Sequence, residues 1–314
     1  MSYKKLFKEI EKDYLSGASV LSRKTARAFE IYAQVVDAKT QSEYLRKVLK
    51  LSKDLISHHL FITPIFNLCN LILCSLERKK SDLTVASLRK LTENLAKDFY
   101  KNSFCAEEKI GEIGLTLIKK DSKVITNSFS SSVFSILKRG KEKKRKNKVI
   151  VLESRPLCEG RNLAEKLGNL GIDVTLIVDS AMGIFAKDAD FVLVGADCVT
   201  EKFFVNKTGT YPLALLAKDR KIPLYVASEK SKFIPEKYRM KSIHKGEVFE
   251  VYEKKLKNVK VENPYFEEIP LSFCERMITE DALLTPREVY QLIKRIKISR
   301  NLHKEFARLF LSKT

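Results

Sequence analysis

Three short apolar runs punctuate the middle of the chain: Val149–Leu152, Val174–Val178 and Phe191–Val194. They are rich in β-branched residues and bounded by turn formers, so they predict buried parallel strands. Between the first two, Leu163, Ala164, Leu167 and Leu170 recur at helical spacing over Arg161–Leu170, and Gly171 can end that helix. Strand, helix and strand at this interval make a βαβ unit. Ligands in such sheets sit outside the carboxyl ends of the strands. The polar residues expected at that edge are Glu153-Ser154-Arg155-Pro156, Asp179-Ser180 and Gly195-Ala196-Asp197.

Upstream, residues 1–121 carry helical periodicity and no convincing strand. Leu6, Ile10 and Tyr14 share one face. Gly17-Ala18-Ser19 interrupts the pattern, with Ser19 placed to cap a helix running through Ile31. Ser42–Ile56, Ala86–Phe99 and Glu107–Lys119 continue it, the first with Leu45, Val48, Leu49 and Ile56 on one face. The pattern predicts a helical N-terminal domain (1–121), a ligand-binding domain built on a mostly parallel sheet (122–298), to which the resemblance given below adds oligomerisation, and a basic tail (299–314), an α/β protein.

In the second domain, Lys123–Thr126 reads as a strand and is followed by Asn127-Ser128-Phe129-Ser130-Ser131-Ser132. Ser130 or Ser131 can cap the next helix, which carries Val133, Phe134 and Leu137. Free amides at that helix start can bind a phosphate, and the serines serve equally well as a simple cap. Thr210–Lys218 reads as a helix and Pro223–Ala227 as a fourth strand, with a further short strand near Val259–Val261. Pro286–Ile293 is a late helix, with Thr285 as cap and Pro286 at its first position.

Composition adds charge to this picture. The 314 residues hold 59 Lys and Arg against 39 Asp and Glu, a net charge of +20. Such a chain attracts anions: nucleic acid, phosphorylated metabolites or an acidic partner. Two segments concentrate the charge. Lys138–Lys148 holds eight basic residues and one Glu, as a nucleic-acid or acidic-protein patch or as a solvated loop. Lys294–Thr314 holds seven basic residues and one Glu, with Leu302, Phe306, Leu309 and Phe310 at helical spacing. It reads as a basic amphipathic helix against a partner, or as a helix packed on its own domain. No aromatics interleave the charges of the loop, so base stacking there is not expected. The six cysteines (69, 74, 105, 158, 198, 274) have no CxxC spacing. They predict free thiols in a reducing compartment, a cytoplasmic location and no metal site, and no cofactor is expected. The most apolar stretch, Leu60–Cys74, is too short for a membrane span and contains Pro64, Asn67 and Asn70.

Three groups can carry chemistry. Asp197 ends an apolar strand, where partial desolvation would raise its pKa and suit a general base, or it caps the following turn. Arg155, before Pro156, would aim a guanidinium at a phosphate, or pair on the surface with Glu153 or Glu159. Asn206-Lys207, before Gly209 at an expected helix start, would bind a phosphate or orient Asp197, or serve as turn residues.

The motifs in succession resemble one superfamily. They are Ser154-Arg155-Pro156 with Gly160-Arg161, Val178-Asp179-Ser180-Ala181, Gly195-Ala196-Asp197 and Asn206-Lys207-Thr208-Gly209-Thr210. Asn263-Pro264-Tyr265-Phe266-Glu267, Ile278-Thr279-Glu280 and the turn Gly17-Ala18-Ser19 add to the likeness. The superfamily holds the α, β and δ subunits of translation initiation factor 2B, methylthioribose-1-phosphate isomerase and ribose-1,5-bisphosphate isomerase. The resemblance implies a helical N-terminal domain, a Rossmann-like C-terminal domain and a homodimer or higher oligomer. It implies a phosphorylated sugar or nucleotide as ligand at Gly17, Ala18, Ser19, Ser130, Ser131, Arg155, Gly160, Asn206 and Lys207, and an initiation-factor or RNA partner on the basic surface. In the isomerases a cysteine and an aspartate do the chemistry. Asp197 matches the aspartate, but Ser128 stands at the cysteine position and Asn127 at that of a preceding histidine. A hydroxyl is a far weaker acid than a thiol of pKa about 8.5. No arginine lies near His58–Pro64, where the isomerases carry a phosphate-binding one, and Ser16 stands where some carry another. The resemblance therefore implies an initiation-factor-like regulatory protein, with a sugar-phosphate isomerase using Asp197 as the alternative.

Overall fold

The computed structural model describes residues 3–13, 17–60, 62–78, 84–239, 246–254 and 257–306. Tyr14, Ser16, Leu309 and Phe310, which figure in the sequence reading, lie outside the described residues. Two compact units are present: Met1–Phe104 with Lys237–Met240 and Arg295–Thr314, and Cys105–Glu236 with Lys241–Lys294. The division falls inside one continuous helix, where the sequence reading set it at 121/122. Nothing in Tyr100–Ala106 breaks a helix, so the two helices expected at Ala86–Phe99 and Glu107–Lys119 run together.

The first unit contains α1 (Tyr3–Lys12), α2 (Ala18–Val35), α3 (Gln41–His58), α4 (Thr63–Arg78), the first part of α5 (Val85–Leu115) and, further along the chain, α11 (Arg300–Phe306). Its interior is aliphatic and aromatic, with Phe29, Tyr44, Ile65, Leu68, Ile72 and Leu73 fully buried. The buried Tyr44 hydroxyl donates to Thr92 Oγ1 at 2.9 Å, so its polar end is satisfied. Ser19 is not the α2 cap. Gly17 takes that place with extended backbone, the helix begins at Ala18, and the Ser19 carbonyl accepts from Ser22 Oγ and Arg23 Nε. In α11, Leu302 is 3 % exposed and packs inward.

The second unit is a doubly wound sheet. Its strands are β1 (Lys123–Asn127), β2 (Lys148–Leu152), β3 (Asp173–Ile177), β4 (Phe191–Gly195), β7 (Leu224–Ala227), β9 (Arg276–Ile278) and β10 (Leu283–Leu284). They lie in the order β10-β9-β7-β4-β1-β2-β3, all parallel except β10 against β9. β5 (Cys198–Val199), β6 (Phe203–Lys207) and β8 (Phe266–Pro270) form a small antiparallel sheet of their own. The helices are α6 (Ser131–Glu142), α7 (Glu159–Asn169), α8 (Met182–Phe185), α9 (Thr210–Arg220) and α10 (Pro286–Lys294). Val133, Ile136 and Leu137 of α6 and Leu163 and Leu167 of α7 pack on Val124, Val149, Val151 and Leu193. Each such side chain contributes about 1.5–3 kcal/mol on burial.

Two strand expectations are corrected. Val174–Val178 is not a buried strand: β3 is the edge of the sheet, and Leu176 is 46 % exposed. An apolar run marks a strand but not its place in the strand order. Val259–Val261 forms no strand. The chain reaches the small sheet only at Phe266, where β8 pairs with β6.

α10 starts as its sequence predicts. Thr285 Oγ1 accepts from Glu288 N at 3.2 Å and Glu288 Oε2 accepts from Thr285 N at 2.7 Å, a reciprocal capping box. Thr285→Ala is expected to cost about 1 kcal/mol by chemical denaturation. No change would mean the helix start is fixed by packing alone.

Candidate functional site

The chain runs β1, β2, β3 to one side, then returns to place β4 on the other side of β1. The carboxyl ends of β1 and β4 are therefore the topological switch point, where doubly wound sheets open a crevice. Close packing brings the two ends together. A Cβ added to Gly195 would lie 2.6 Å from Ser130 Oγ and 3.8 Å from Asn206 Oδ1, so only glycine lets these residues meet.

The turn after β1 is held by side chains. Asn127 is 2 % exposed. Its Nδ2 faces the Lys207 carbonyl (3.4 Å), the Thr208 carbonyl (3.3 Å) and Thr210 Oγ1 (3.1 Å). Its Oδ1 accepts from Ser154 Oγ at 2.8 Å. Ser128 sits in the left-handed region, φ 64°, and its amide donates to the same Ser154 Oγ at 2.7 Å. One buried amide thus ties the ends of β1, β2 and β6 together. Ser130 caps α6 through Val133 N (3.4 Å), and Ser131 Oγ donates to Glu107 Oε1 (3.1 Å). Ser130 takes the amides of Val133 and Phe134, which leaves those of Ser131 and Ser132 as the α6 donors open to an anion.

At the end of β2, Asp179 accepts from the amides of Ser154 (2.8 Å) and Arg155 (2.7 Å). Arg155 pairs with neither Glu153 nor Glu159. Its Nη2 donates to the Glu250 carbonyl at 2.9 Å, while Glu153 holds Arg161 and Glu159 holds Lys207. Gly160 contributes a close approach: a Cβ there would lie 1.8 Å from the Leu152 carbonyl oxygen.

Lys207 ends β6, and α9 begins just beyond it with Gly209 at its N-cap. The lysine is 3 % exposed, 2.8 Å from Glu159 Oε1, with its ammonium 4.5 Å from the Tyr265 ring centre. The Tyr265 hydroxyl donates to Glu250 Oε2. Burial raises the pKa of this hydroxyl, and the Glu250 carboxylate beside it raises it further. Arg155 and Lys207 are therefore joined through Glu250 and Tyr265. The start of α9, expected as an anion site, is already filled: Glu267 Oε1 accepts from Tyr211 N at 2.8 Å. Burial pushes the Glu267 carboxyl up, and the amides at Tyr211, Gly209 and Thr210 oppose that shift.

Asp197 follows β4. Its amide donates to the Val205 carbonyl at 2.8 Å, and its carboxylate remains about a third exposed. Lys232, itself 7 % exposed, donates to the Ala196 carbonyl (2.7 Å) and stands 4.0 Å from Asp197 Oδ1. The sheet thus brings Ser130, Gly195, Asp197 and Asn206 to one corner, and Arg155, Gly160 and Lys207 to the next. Gly17, Ala18 and Ser19 belong to the helical unit and open α2.

Sequence reasoning missed Lys232, which no local pattern marks. It also missed the work of Asp179, Tyr265 and Glu267, although each lies in a quoted motif.

A profile of the Initiation factor 2 subunit family matches residues 15–286. The chain belongs to that family. It is 33% identical over 285 residues to a translation initiation factor eIF-2B subunit 2-like protein of Pyrococcus furiosus, covering 90% of this chain and 96% of that one. It is 31% identical over 297 residues to the ribose 1,5-bisphosphate isomerase of Methanocaldococcus jannaschii, covering 93% of this chain and 94% of that one. The crystal structure of translation initiation factor eIF-2B from Pyrococcus horikoshii superposes with a TM-score of 0.76 at 30% identity, covering 91% of this chain and 98% of that one. Relatives named as initiation-factor subunits and as an isomerase both match this chain, so the choice between those roles rests on side chains. Among the described residues no helix is long and apolar enough to cross a membrane.

Proposed function

We propose that this protein is a regulatory subunit of the initiation factor 2B type, which binds a phosphorylated sugar or nucleotide at the carboxyl edge of β1, β2 and β4 and does not turn it over. The observation that carries this reading is the pairing at the switch point: anion donors and Asp197 are present, and Ser128 supplies a hydroxyl where the isomerase chemistry calls for a thiol. The nearby thiols do not replace it. Cys198 is 4 % exposed, and the Cys158 thiol donates to the Pro156 carbonyl at 3.6 Å. The α6 amides, Lys207 and Lys232 would hold the phosphate, with Asn206 and Asp197 toward the sugar. Its protein partners are a second copy of the chain, on the apolar rim of Leu176, Val178 and Ile184, and an initiation factor.

The retained Asp197 with Lys232 beside it favours a second reading, a sugar-phosphate isomerase with Asp197 as general base. Incubation with ribose 1,5-bisphosphate separates the two. On the first reading no ketose forms, and the ligand raises the melting temperature where plain ribose does not. A hundredfold excess over Kd corresponds to about 2.7 kcal/mol of stabilisation. Ketose formation that disappears in Asp197→Asn would establish the second reading and end the first. Absence of both turnover and binding would remove the pair.

A further inference from the structure

A groove of about 600 Å³ opens in the helical unit between the end of α4 and the start of α11. Arg78, Lys297, Arg300 and Lys304 line it, with Glu77 and Asn301. All four cationic side chains are exposed. None has an ion-pair partner among the described residues.

The groove is built and held in shape. Asn70, 7 % exposed on α4, donates to the Lys297 carbonyl (2.9 Å) and accepts from the Ser299 amide (2.8 Å). Glu77 accepts from Ser299 Oγ (2.7 Å), Arg300 N (2.9 Å), Asn301 N (3.0 Å) and Asn301 Nδ2 (2.8 Å). Burial pushes the Glu77 carboxyl up, but these four donors outweigh it and hold the group below the usual carboxylate range. Its charge is therefore engaged by the α11 start, and it makes no ion pair with any of the four cations among the described residues.

We propose that this groove binds the phosphate backbone of single-stranded RNA. The volume exceeds that of one phosphate, and four cations suit several consecutive ones. An acidic peptide would want apolar anchors in well-packed pockets, and among the described residues only Ile298 and Cys74 give the groove apolar lining. No aromatic side chain lines it among the described residues, so the contact runs to the phosphate backbone and is independent of sequence. The site is separate from the strand edge and does not depend on what binds there.

The test is fluorescence anisotropy of the full chain with a labelled oligouridine. Each phosphate neutralised on a single strand contributes about −0.7 to the slope of log K against log salt, so four contacts give about −3. Affinity should fall about fiftyfold between 50 and 200 mM salt. Lys297→Gln with Lys304→Gln should halve the slope, leaving a loss of about sevenfold over the same range. Arg78→Gln with Arg300→Gln is the second pair, and because all four side chains are exposed both variants should melt with the wild type. A control in the other unit, Lys143→Gln with Arg145→Gln and Lys146→Gln, should keep the wild-type slope. The proposal is overturned by absent RNA binding, by a slope that the loop variant flattens and the groove variants do not, or by equal competition from polyglutamate.

Discussion

Gly160→Ala is expected to destabilise the protein by at least about 3 kcal/mol. The added Cβ would lie 1.8 Å from the Leu152 carbonyl oxygen and 2.9 Å from its carbonyl carbon. Both are backbone atoms at the end of β2, and neither can rotate away as a side chain would. α7 would have to lift from the strand, taking Leu163 and Leu167, both fully buried, with it. The melting temperature should fall by roughly 6–12 °C if the sheet unit melts cooperatively. A loss under about 1 kcal/mol would show that α7 does not pack against β2 at this distance. Packing alone requires that no side chain be at this position.

Asn127→Asp should have an effect of similar size with a signature in pH. The side chain keeps its shape, but the amide that donates to two carbonyls and a hydroxyl becomes a carboxylate that cannot. A buried charge facing carbonyl oxygens is expected to cost about 3–5 kcal/mol at pH 7. The folded-state pKa of this Asp would be raised above its unfolded value of about 3.9. The penalty is therefore absent below that unfolded value, grows as pH rises toward the folded pKa, and is complete above it. Asn127→Ala removes the same hydrogen bonds without the charge, so its cost should not vary with pH. Denaturation of both variants against the wild type at pH 7 and at acid pH measures the difference. Parallel pH curves for the two variants would show that the Asp stays solvated and that Asn127 is not the hub of this corner.

The comparison of Asp197 with Lys207 shows how far local pattern reaches. Asp197 was legible because an apolar strand ends in Gly195-Ala196, and a polar residue there must face the edge. Lys207 was legible as a residue near the site, but its strand was not. β6 is five residues with one polar pair at its end, and its partner β8 lies some 60 positions away in the numbering. Asn206-Lys207 before Gly209 reads as a phosphate site, but Glu267 from that same distant strand fills the α9 start. Lys232 was invisible, since a lysine in a lysine-rich chain carries no signal until its ammonium is seen beside Asp197.

The sequence by itself determined the helical first part, the βαβ core, the α6 and α10 caps and the residues that gather at the strand edge. These follow from periodicity, β-branched runs and capping chemistry, all of which act within a few residues. Only the tertiary structure decided that β3 is an edge, that α5 is continuous through the division of the units, and that Lys207 and Arg155 are joined through Tyr265 and Glu250. Strand order, burial of a charge and the partner of a side chain depend on contacts between residues far apart in the chain, and no local free-energy preference encodes them.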